Sequence, residues 1–204
     1  MTTYAVTQEL IDTAVAFHGH WCPGLSLGIR AAAWAKDKFG TAADEEIVVI
    51  TETDMCAVDA IQAIIGCTFG KGNLIFRDKG KVAFSFYRRS DGTQARIVEK
   101  QRKDGQTLRR RELQQLLSDQ KLTAERRTEL EAELALLRKQ HLDFLLSAPF
   151  EDIFDIKEPM ETMPAMARRL PTIICDCCGE GVMATRIVSR HGKQLCMDCT
   201  EKAE

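Results

Sequence analysis

Residues 46–66 read EIVVITETDMCAVDAIQAIIG. Glu46 to Thr51 is a short β-branched run, which predicts a buried strand. Val58 to Ile65 (VDAIQAII) predicts a helix that stops at Gly66. The core therefore holds both element types. Further strands are expected at Leu74–Phe76 and Val82–Tyr87, separated by the turn Asp78-Lys79-Gly80-Lys81, and near Gln94–Val98. On the N-terminal side, residues 6–17 place Val6, Leu10, Val15 and Phe17 near one helical face. The stretch His18-Gly19-His20-Trp21-Cys22-Pro23-Gly24 interrupts that pattern, because Pro23 and two glycines oppose a regular helix. A second helix is expected from about Leu25 to Phe39, closed by Gly40.

On the C-terminal side, residues 77–111 are basic. They carry Arg77, Lys79, Lys81, Arg88, Arg89, Arg96, Lys100, Arg102, Lys103, Arg109, Arg110 and Arg111 against Asp78, Asp91, Glu99 and Asp104. The weight falls on a solvated loop; the sharper alternative is a patch for an anionic substrate or partner. Residues 107–146 read as a helical hairpin. Leu108, Leu113, Leu116 and Leu117 make the first stripe, Ser118 to Leu122 the turn, and Thr123 the N-cap. Leu130, Leu134, Leu137, His141 and Leu145 make the second stripe. Leu113, Leu116, Leu130, Leu134 and Leu137 are expected to be buried, in the chain's own core or in a homodimer seam, since soluble monomers avoid so long an exposed stripe. His141 reads as a packing residue. Residues 147–170 read as an extended connector that packs Phe150, Ile153, Phe154 and Ile156. The domain expectation is a core over 1–170 and a finger over 171–204.

The 204 residues are 45% apolar with a net charge of -2. That suits one core with an annex, or two small domains, and gives no general affinity for nucleic acid. The first residues, MTTYAVTQELIDTAVAF, lack a basic segment, and Gln8, Glu9 and Asp12 interrupt their apolar residues, so a signal peptide is not expected. No run reaches the roughly 18 apolar residues of a membrane span. The expectation is a cytoplasmic protein without a membrane partner. Eight cysteines in that setting point to metal or reactive thiols rather than disulfides.

The strongest motif lies at residues 175–199, CDCCGEGVMATRIVSRHGKQLCMDC. Two C-x₂-C pairs, Cys175 with Cys178 and Cys196 with Cys199, suit one tetrahedral structural zinc. Val182–Val188 and Lys193–Leu195 are expected to pair across His191-Gly192, giving a treble-clef or ribbon-type finger. Cys177 is the surplus thiol and points away from the metal; His191 is disfavoured as a ligand by its turn position. Few basic residues (Arg186, Arg190, Lys193, Lys202) accompany the motif, so nucleic acid is not favoured as a partner. Residues 66–73 faintly resemble a phosphate loop, but the glycine spacing is one residue short and Gly72 stands where Ser or Thr would hold Mg²⁺.

A second ligand pool lies upstream: His18, His20, Cys22, Cys56 and Cys67, of which three or four are expected to bind at once; Cys56 and Cys67 flank one short helix, so only one of them, Cys56 by preference, is expected to reach the ion. Imidazole with thiolate suits zinc, iron or nickel. A thiolate before a helix is stabilised by the free N–H groups and the dipole. Cysteine is also a common small core residue, and Cys56 or Cys67 alone would be unremarkable. An open position would make the site catalytic, with a metal-bound water or Cys22 as the nucleophile and Asp59 and Lys71 as candidates for proton handling or anion binding.

Phe17-His18-Gly19-His20-Trp21-Cys22-Pro23-Gly24, with Gly28 and Arg30-Ala31-Ala32, resembles the opening signature of the FmdE family, named for the E component of formylmethanofuran dehydrogenase. Glu52, Asp54, Cys56, Val58 to Gln62, Gly66-Cys67-Thr68 and Gly70 to Leu74 are similar to its second block. Asp78, Gly80-Lys81 and Ala83-Phe84 are similar to its third. The finger is similar to the auxiliary C-terminal finger of some members. The resemblance covers about residues 10–98 and 172–199. It implies an α+β core, often dimeric, with a metal on the signature histidine and cysteines. It also implies association with molybdenum or tungsten formylmethanofuran dehydrogenase in one-carbon, methanogenesis-type metabolism. It does not place the redox step on this chain, whose sequence shows no ferredoxin-type C-x₂-C-x₂-C-x₃-C run. The expected function is a metal-binding accessory protein. The rivals are a stand-alone metalloenzyme and a zinc-finger regulator that senses a metal.

Overall fold

The computed structural model describes residues 4–101 and 105–201. Of the expected basic residues, Arg102, Lys103 and Lys202 lie outside the described residues, as does Asp104. The chain divides into two units, Met1–Met166 and Ala167–Glu204.

The first unit is built on a five-stranded sheet of order β2-β1-β3-β4-β5. Its strands are β1 (Ile47–Thr51), β2 (Leu74–Phe76), β3 (Ala83–Arg88), β4 (Gln94–Glu99) and β5 (Phe154–Lys157). β1 runs parallel to β2, and the remaining pairings are antiparallel. All five residues of β1 are buried, because both faces of the sheet are covered. Ile47 and Val49 face the main core under the helices. Val48, Ile50 and Tyr87 face the other way, under Met163. A strap between residues 158 and 166 covers that second face. The Tyr87 hydroxyl donates to the Glu161 carbonyl at 2.8 Å, and the Arg89 guanidinium donates to the Pro164 carbonyl at 2.7 Å.

The segment expected to be a plain connector is therefore more than that. It forms α6 (Phe150–Ile153) and the edge strand β5 before the strap begins. Phe150 stacks on Trp34 at 5.4 Å and on Phe154 at 5.1 Å, inside the core. Ile156 is the exception: although it is two residues from the buried Phe154 on the edge strand β5, it is 50% exposed.

Three helices pack on the main-core face: α1 (Gln8–His18), α2 (Pro23–Phe39) and α3 (Ala57–Ile65). In α1 the buried residues are Leu10 and Ala14, whereas Phe17 is 55% exposed and off the expected face. Helix α2 starts two residues before the expected point. Pro23 sits in its first turn, where a missing N–H costs nothing and the fixed φ already suits the helix. Helices α2 and α3 cross at Gly28, where a Cβ would stand 2.3 Å from the Ala57 carbonyl oxygen. We expect Gly28→Ala to destabilise the first unit by at least about 1–3 kcal/mol, because backbone rather than a flexible side chain must give way. Urea unfolding monitored by tryptophan fluorescence checks this, and an unchanged midpoint would refute the close crossing. On the opposite face of the sheet, the face of Ile50 and Tyr87, Arg96 pairs bidentately with Glu52 at 2.6 and 3.0 Å, both side chains buried.

The helical hairpin comprises α4 (Gly105–Leu117) and α5 (Ala124–Ser147), with Thr123 as N-cap accepting from the Arg126 N–H. Leu113, Leu130 and Leu134 form a small core of their own, with Leu117, Leu122 and Leu137 packed on it, while Leu145 joins the main core. The expected burial of Leu116 does not hold. It is 39% exposed, and Leu108 is 58% exposed, because both lie off the face that α4 turns to α5. Arg109 spans the hairpin to Glu133 with bonds of 2.7 and 2.8 Å. Among the described residues no helix is long and apolar enough to cross a membrane.

The second unit holds two hairpins and a short helix. β6 (Thr172–Ile174) pairs with β7 (Gly181–Met183), and β8 (Val188–Arg190) pairs with β9 (Lys193–Leu195), followed by α7 (Met197–Glu201). Val182 therefore pairs with Ile173, not across His191-Gly192 as expected. The pairing there begins at Val188, because a 3₁₀ turn over Ala184–Arg186 breaks the strand. His191 has a φ of 50° in the tight turn.

Candidate metal sites

In the second unit the donor atoms of Cys175, Cys178, Cys196 and Cys199 all lie within 4.8 Å of one another. The Cys178 and Cys196 sulfurs are 3.9 Å apart, close to the roughly 3.8 Å edge of a tetrahedron with 2.3 Å zinc–sulfur bonds. The backbone prepares these thiolates. The Cys196 N–H points at the Cys175 sulfur at 3.3 Å, and the Cys199 N–H at the Cys196 sulfur at 3.4 Å. N–H groups of Cys178, Cys196 and Cys177 bring the Cys175 thiol down to about 6, so it ionises readily. The Cys199 thiol is pushed up by its contacts with the Cys196 and Cys177 sulfurs, a crowding of sulfur that a cation relieves. The four-cysteine cluster fits a structural zinc. Cys177 is exposed and does not belong to the cluster.

In the first unit a second cluster forms where two helices meet. His18 closes α1, Cys22 caps α2, and His20 lies on the turn between them; their donor atoms fall within 4.8 Å of one another. Gly19 adopts a φ of 91° to end α1 and turn the chain back. The Cys22 sulfur accepts the Leu25 N–H at 3.3 Å, as a serine oxygen would at an N-cap. It lies 3.9 Å from His18 Nε2; an ion ligated by both would set that separation at roughly 3.5 Å. The opposite ring nitrogen, Nδ1, is 2.7 Å from Asp59 Oδ2 on α3. This carboxylate–histidine arrangement orients a ligating imidazole and raises its basicity. Gln62 Nε2 donates to the other Asp59 oxygen at 3.4 Å. The His18 and His20 rings lie 4.5 Å apart, with His20 at the exposed edge.

Cys56 joins the cluster's sulfur side. It is the residue before α3, its side chain makes no capping bond, and its thiol contacts Cys22. Both sulfurs lie within 4 Å of where a Gly24 Cβ would stand. Burial, then the Cys22 sulfur, raises the Cys56 thiol above its ordinary value. The N-termini of α2 and α3 thus bring two cysteines together, Cys22 beside His18 and Cys56 behind Cys22, outside the set whose donor atoms all lie within 4.8 Å of one another.

Two of the expected residues are elsewhere. Cys67, past the far end of α3, is fully buried in the main core; its thiol donates to the Ile47 carbonyl at 3.4 Å, and burial pushes it up to about 12. It behaves as a small core residue. Lys71 reaches the carbonyls of Ala42 and Asp44 at 3.2 and 3.4 Å, fastening its own loop rather than facing His18. Asp59, expected as a proton handler, instead holds His18. The residues that sequence reasoning missed as supports are Gly24, whose missing side chain admits both sulfurs, and Leu25, whose N–H caps Cys22. A groove of about 240 Å³ lined by Val58, Asp59, Gln62 and Phe69 opens beside the cluster.

Residues 17–155 match the model of the family described as FmdE, molybdenum formylmethanofuran dehydrogenase operon. Residues 163–204 match the prokaryotic dksA/traR C4-type zinc finger. A curated relative, a probable S-adenosyl-L-methionine-binding protein of Archaeoglobus fulgidus, is 30% identical over 203 residues, which cover 94% of this chain and 52% of the relative. The chain thus spans about half the length of that relative. The crystal structure of an FmdE-like protein of the tungsten formylmethanofuran dehydrogenase type, from Syntrophus aciditrophicus, superposes with a TM-score of 0.61 at 21% identity. That match covers 100% of this chain and 98% of the other. At that identity the likeness is one of fold.

Proposed function

The chain belongs to the FmdE family, and from that premise we propose that it is a metal-binding, FmdE-type accessory protein whose core site carries the function. The observation behind this reading is the convergence of His18, His20 and Cys22 with Asp59 fastened to the back of His18. A buried packing histidine has no need of a thiol on its free nitrogen. The ligand set is His18, His20 and Cys22, with Cys56 as the fourth donor. Imidazole and thiolate donors suit zinc, iron or nickel. When bound, such an ion supplies a Lewis-acidic centre. The chain's own residues do the rest: Asp59 holds the His18 proton on Nδ1, the Leu25 N–H holds Cys22, and the exposed edge at His20 leaves room for water or a ligand. The partners proposed are a second copy of the chain and the components of a molybdenum or tungsten formylmethanofuran dehydrogenase; the finger's zinc is structural.

A second reading, a stand-alone metalloenzyme, draws on the groove that opens onto Asp59. The description of the A. fulgidus relative as S-adenosyl-L-methionine-binding suggests a sulfonium nucleoside as one ligand class for that groove.

Metal analysis of the full chain, reconstituted anaerobically with zinc, iron or nickel, tests the proposal. Two equivalents per chain are expected, one of them exchangeable. A single equivalent under every loading condition would remove the core site. Co-elution with purified formylmethanofuran dehydrogenase supports the accessory role; turnover of a small substrate without any complex supports the second reading.

A further inference from the structure

We infer that the cavity between the N-terminus of α2 and the α4–α5 hairpin is an oxyanion subsite. It would take a phosphoryl or carboxylate group on the ligand whose other end reaches the core metal site. This rests on the core-site reading above. The cavity has a volume of about 280 Å³, near the lower end of the roughly 300–1,000 Å³ usual for small-ligand pockets. Three arginines line it, Arg110 and Arg111 on α4 and Arg138 on α5, and among the described residues no carboxylate does. An adjoining cavity of about 160 Å³ shares Arg110 and Arg111 and extends the concavity to His141 and Glu99. Burial raises the Glu99 carboxyl above its ordinary value.

The charge pattern of the hairpin separates this from an ordinary solvated face. Arg109 is neutralised by Glu112 and Glu133, and Arg126 by Glu129. Arg127 is spent on the carbonyls of Leu117 and Asp119. Arg111 and Arg138 make no ion pair among the described residues. A chain of net charge -2 has acids enough to pair them, yet among the described residues none lines the larger cavity. Like charges gathered in one concavity repel, and a low-dielectric wall strengthens the field they project. An oxyanion offsets that repulsion, and arginine's planar fork matches phosphate or carboxylate bidentately.

The link to the metal site is positional. Pro23 lines the cavity and follows Cys22 directly in sequence. The positive end of the 17-residue α2 adds to the attraction for an anion there. A ligand with its charged group against the arginines would therefore lie next to the Cys22 side of the core site. Of the described residues of the basic stretch, Arg111 reaches this cavity without an ion pair among the described residues, and Arg110 lines it too; Arg77, Arg88, Arg96 and Arg109 are in ion pairs, and Arg89 is bonded to backbone carbonyls.

Isothermal titration of the zinc-loaded full chain with pyrophosphate and with citrate tests the subsite. Saturable binding is expected, weakened by added salt. It should fall about tenfold or more per arginine in an Arg111→Ala, Arg138→Ala double variant and be partly retained in the double lysine variant. The tighter of the two probes assigns phosphoryl or carboxylate chemistry. No binding, or binding unchanged in the alanine variant, overturns the subsite. Tighter binding of a single-stranded oligonucleotide that displaces pyrophosphate would reassign the surface to a nucleic-acid backbone. With cobalt(II) in the core, bound pyrophosphate should show enhanced ³¹P relaxation that Cys22→Ser abolishes. Tight binding without that enhancement overturns the link to the metal. If cobalt fails to occupy the core at all, the metal reading falls, and calorimetry alone judges the groove.

Discussion

Replacing Cys175 or Cys199 by serine is expected to remove one equivalent of zinc and to unfold residues 172–204, while Cys177→Ser keeps both the ion and the fold. The finger's own core is too small to stand alone. It consists of Cys175, Leu195 and Cys196, with Val182 and Cys199 packed against them, so two of its three buried members are themselves ligands. Its hairpins are three residues a strand, well short of independent stability. Structural zinc in comparable fingers contributes about 10–16 kcal/mol of apparent binding free energy, which is folding free energy when the apo form has no site. Losing one thiolate removes most of that. Cys177 is exposed beside Cys199 and is not needed to close the tetrahedron. Metal analysis gives the stoichiometry, and the dispersion of amide resonances from residues 172–201 reports the fold. Zinc loss in Cys177→Ser with retention in Cys175→Ser would reverse the ligand assignment. The chain should keep its first unit folded in every case, since that core shares no residue with the finger's.

What can be read from the sequence depends on how local the signal is. The C-x₂-C pairs carry their geometry within four residues, so the ligands are legible. The strand pairing between them is not, because nothing in residues 181–188 announces the 3₁₀ turn that ends β7 and hands Val182 to Ile173. Strand β1 and helix α3 are legible because a β-branched run and a glycine stop are local facts. That β1 is buried on both faces is not, since its second cover comes from Met163, more than a hundred residues away. Residues 147–157 resemble a connector because prolines interrupt the surrounding stretch, yet Phe150 and Phe154 belong to the main core and β5 completes the sheet. Pro23 reads as a barrier to helix; its tolerance at a first helical turn depends on Cys22 being the cap, a fact of the fold. At the core site, His18, His20 and Cys22 stand within five residues and are found together. The His18–Asp59 bond spans 41 positions and has no sequence signature. Cys56 is preferred to Cys67 already in the sequence, because one short helix separates them and only one can reach the ion; its nine residues place one sulfur at each end of α3, and the N-terminal one meets Cys22. Lys71 enters the reading through its nearness in sequence to Cys67, and it lies outside the site for the same reason.

The largest effect in the first unit is expected from Cys22→Ser and His18→Ala, each of which should abolish the exchangeable metal equivalent and leave the finger's zinc in place. Serine is a suitable probe at position 22 because it is among the best N-cap residues. Its oxygen can take over the Leu25 N–H that the Cys22 sulfur now accepts. Helix α2 should therefore start where it does, and metal loss cannot be blamed on unfolding. The finger's retained zinc is the internal standard for stoichiometry. Asp59→Asn should weaken core-metal affinity about 10–100-fold without abolishing binding, the usual cost of losing a carboxylate that orients a ligating histidine. The amide can still accept from Nδ1–H, so the ring is held in place; what is lost is the negative charge that raises its basicity. Cys67→Ser should leave core-metal affinity unchanged, although a hydroxyl packs less well than the thiol in that buried position. Cys56→Ser decides the coordination number: a loss comparable to that of Cys22→Ser makes it the fourth ligand, and an unchanged affinity leaves three protein donors and an open position. Competition with a chromogenic chelator measures all five variants, and circular dichroism confirms that each is folded. Undiminished metal in both Cys22→Ser and His18→Ala would leave the HGHWCPG loop as a helix junction, with its imidazole and thiol held together by the crossing of α1, α2 and α3 alone.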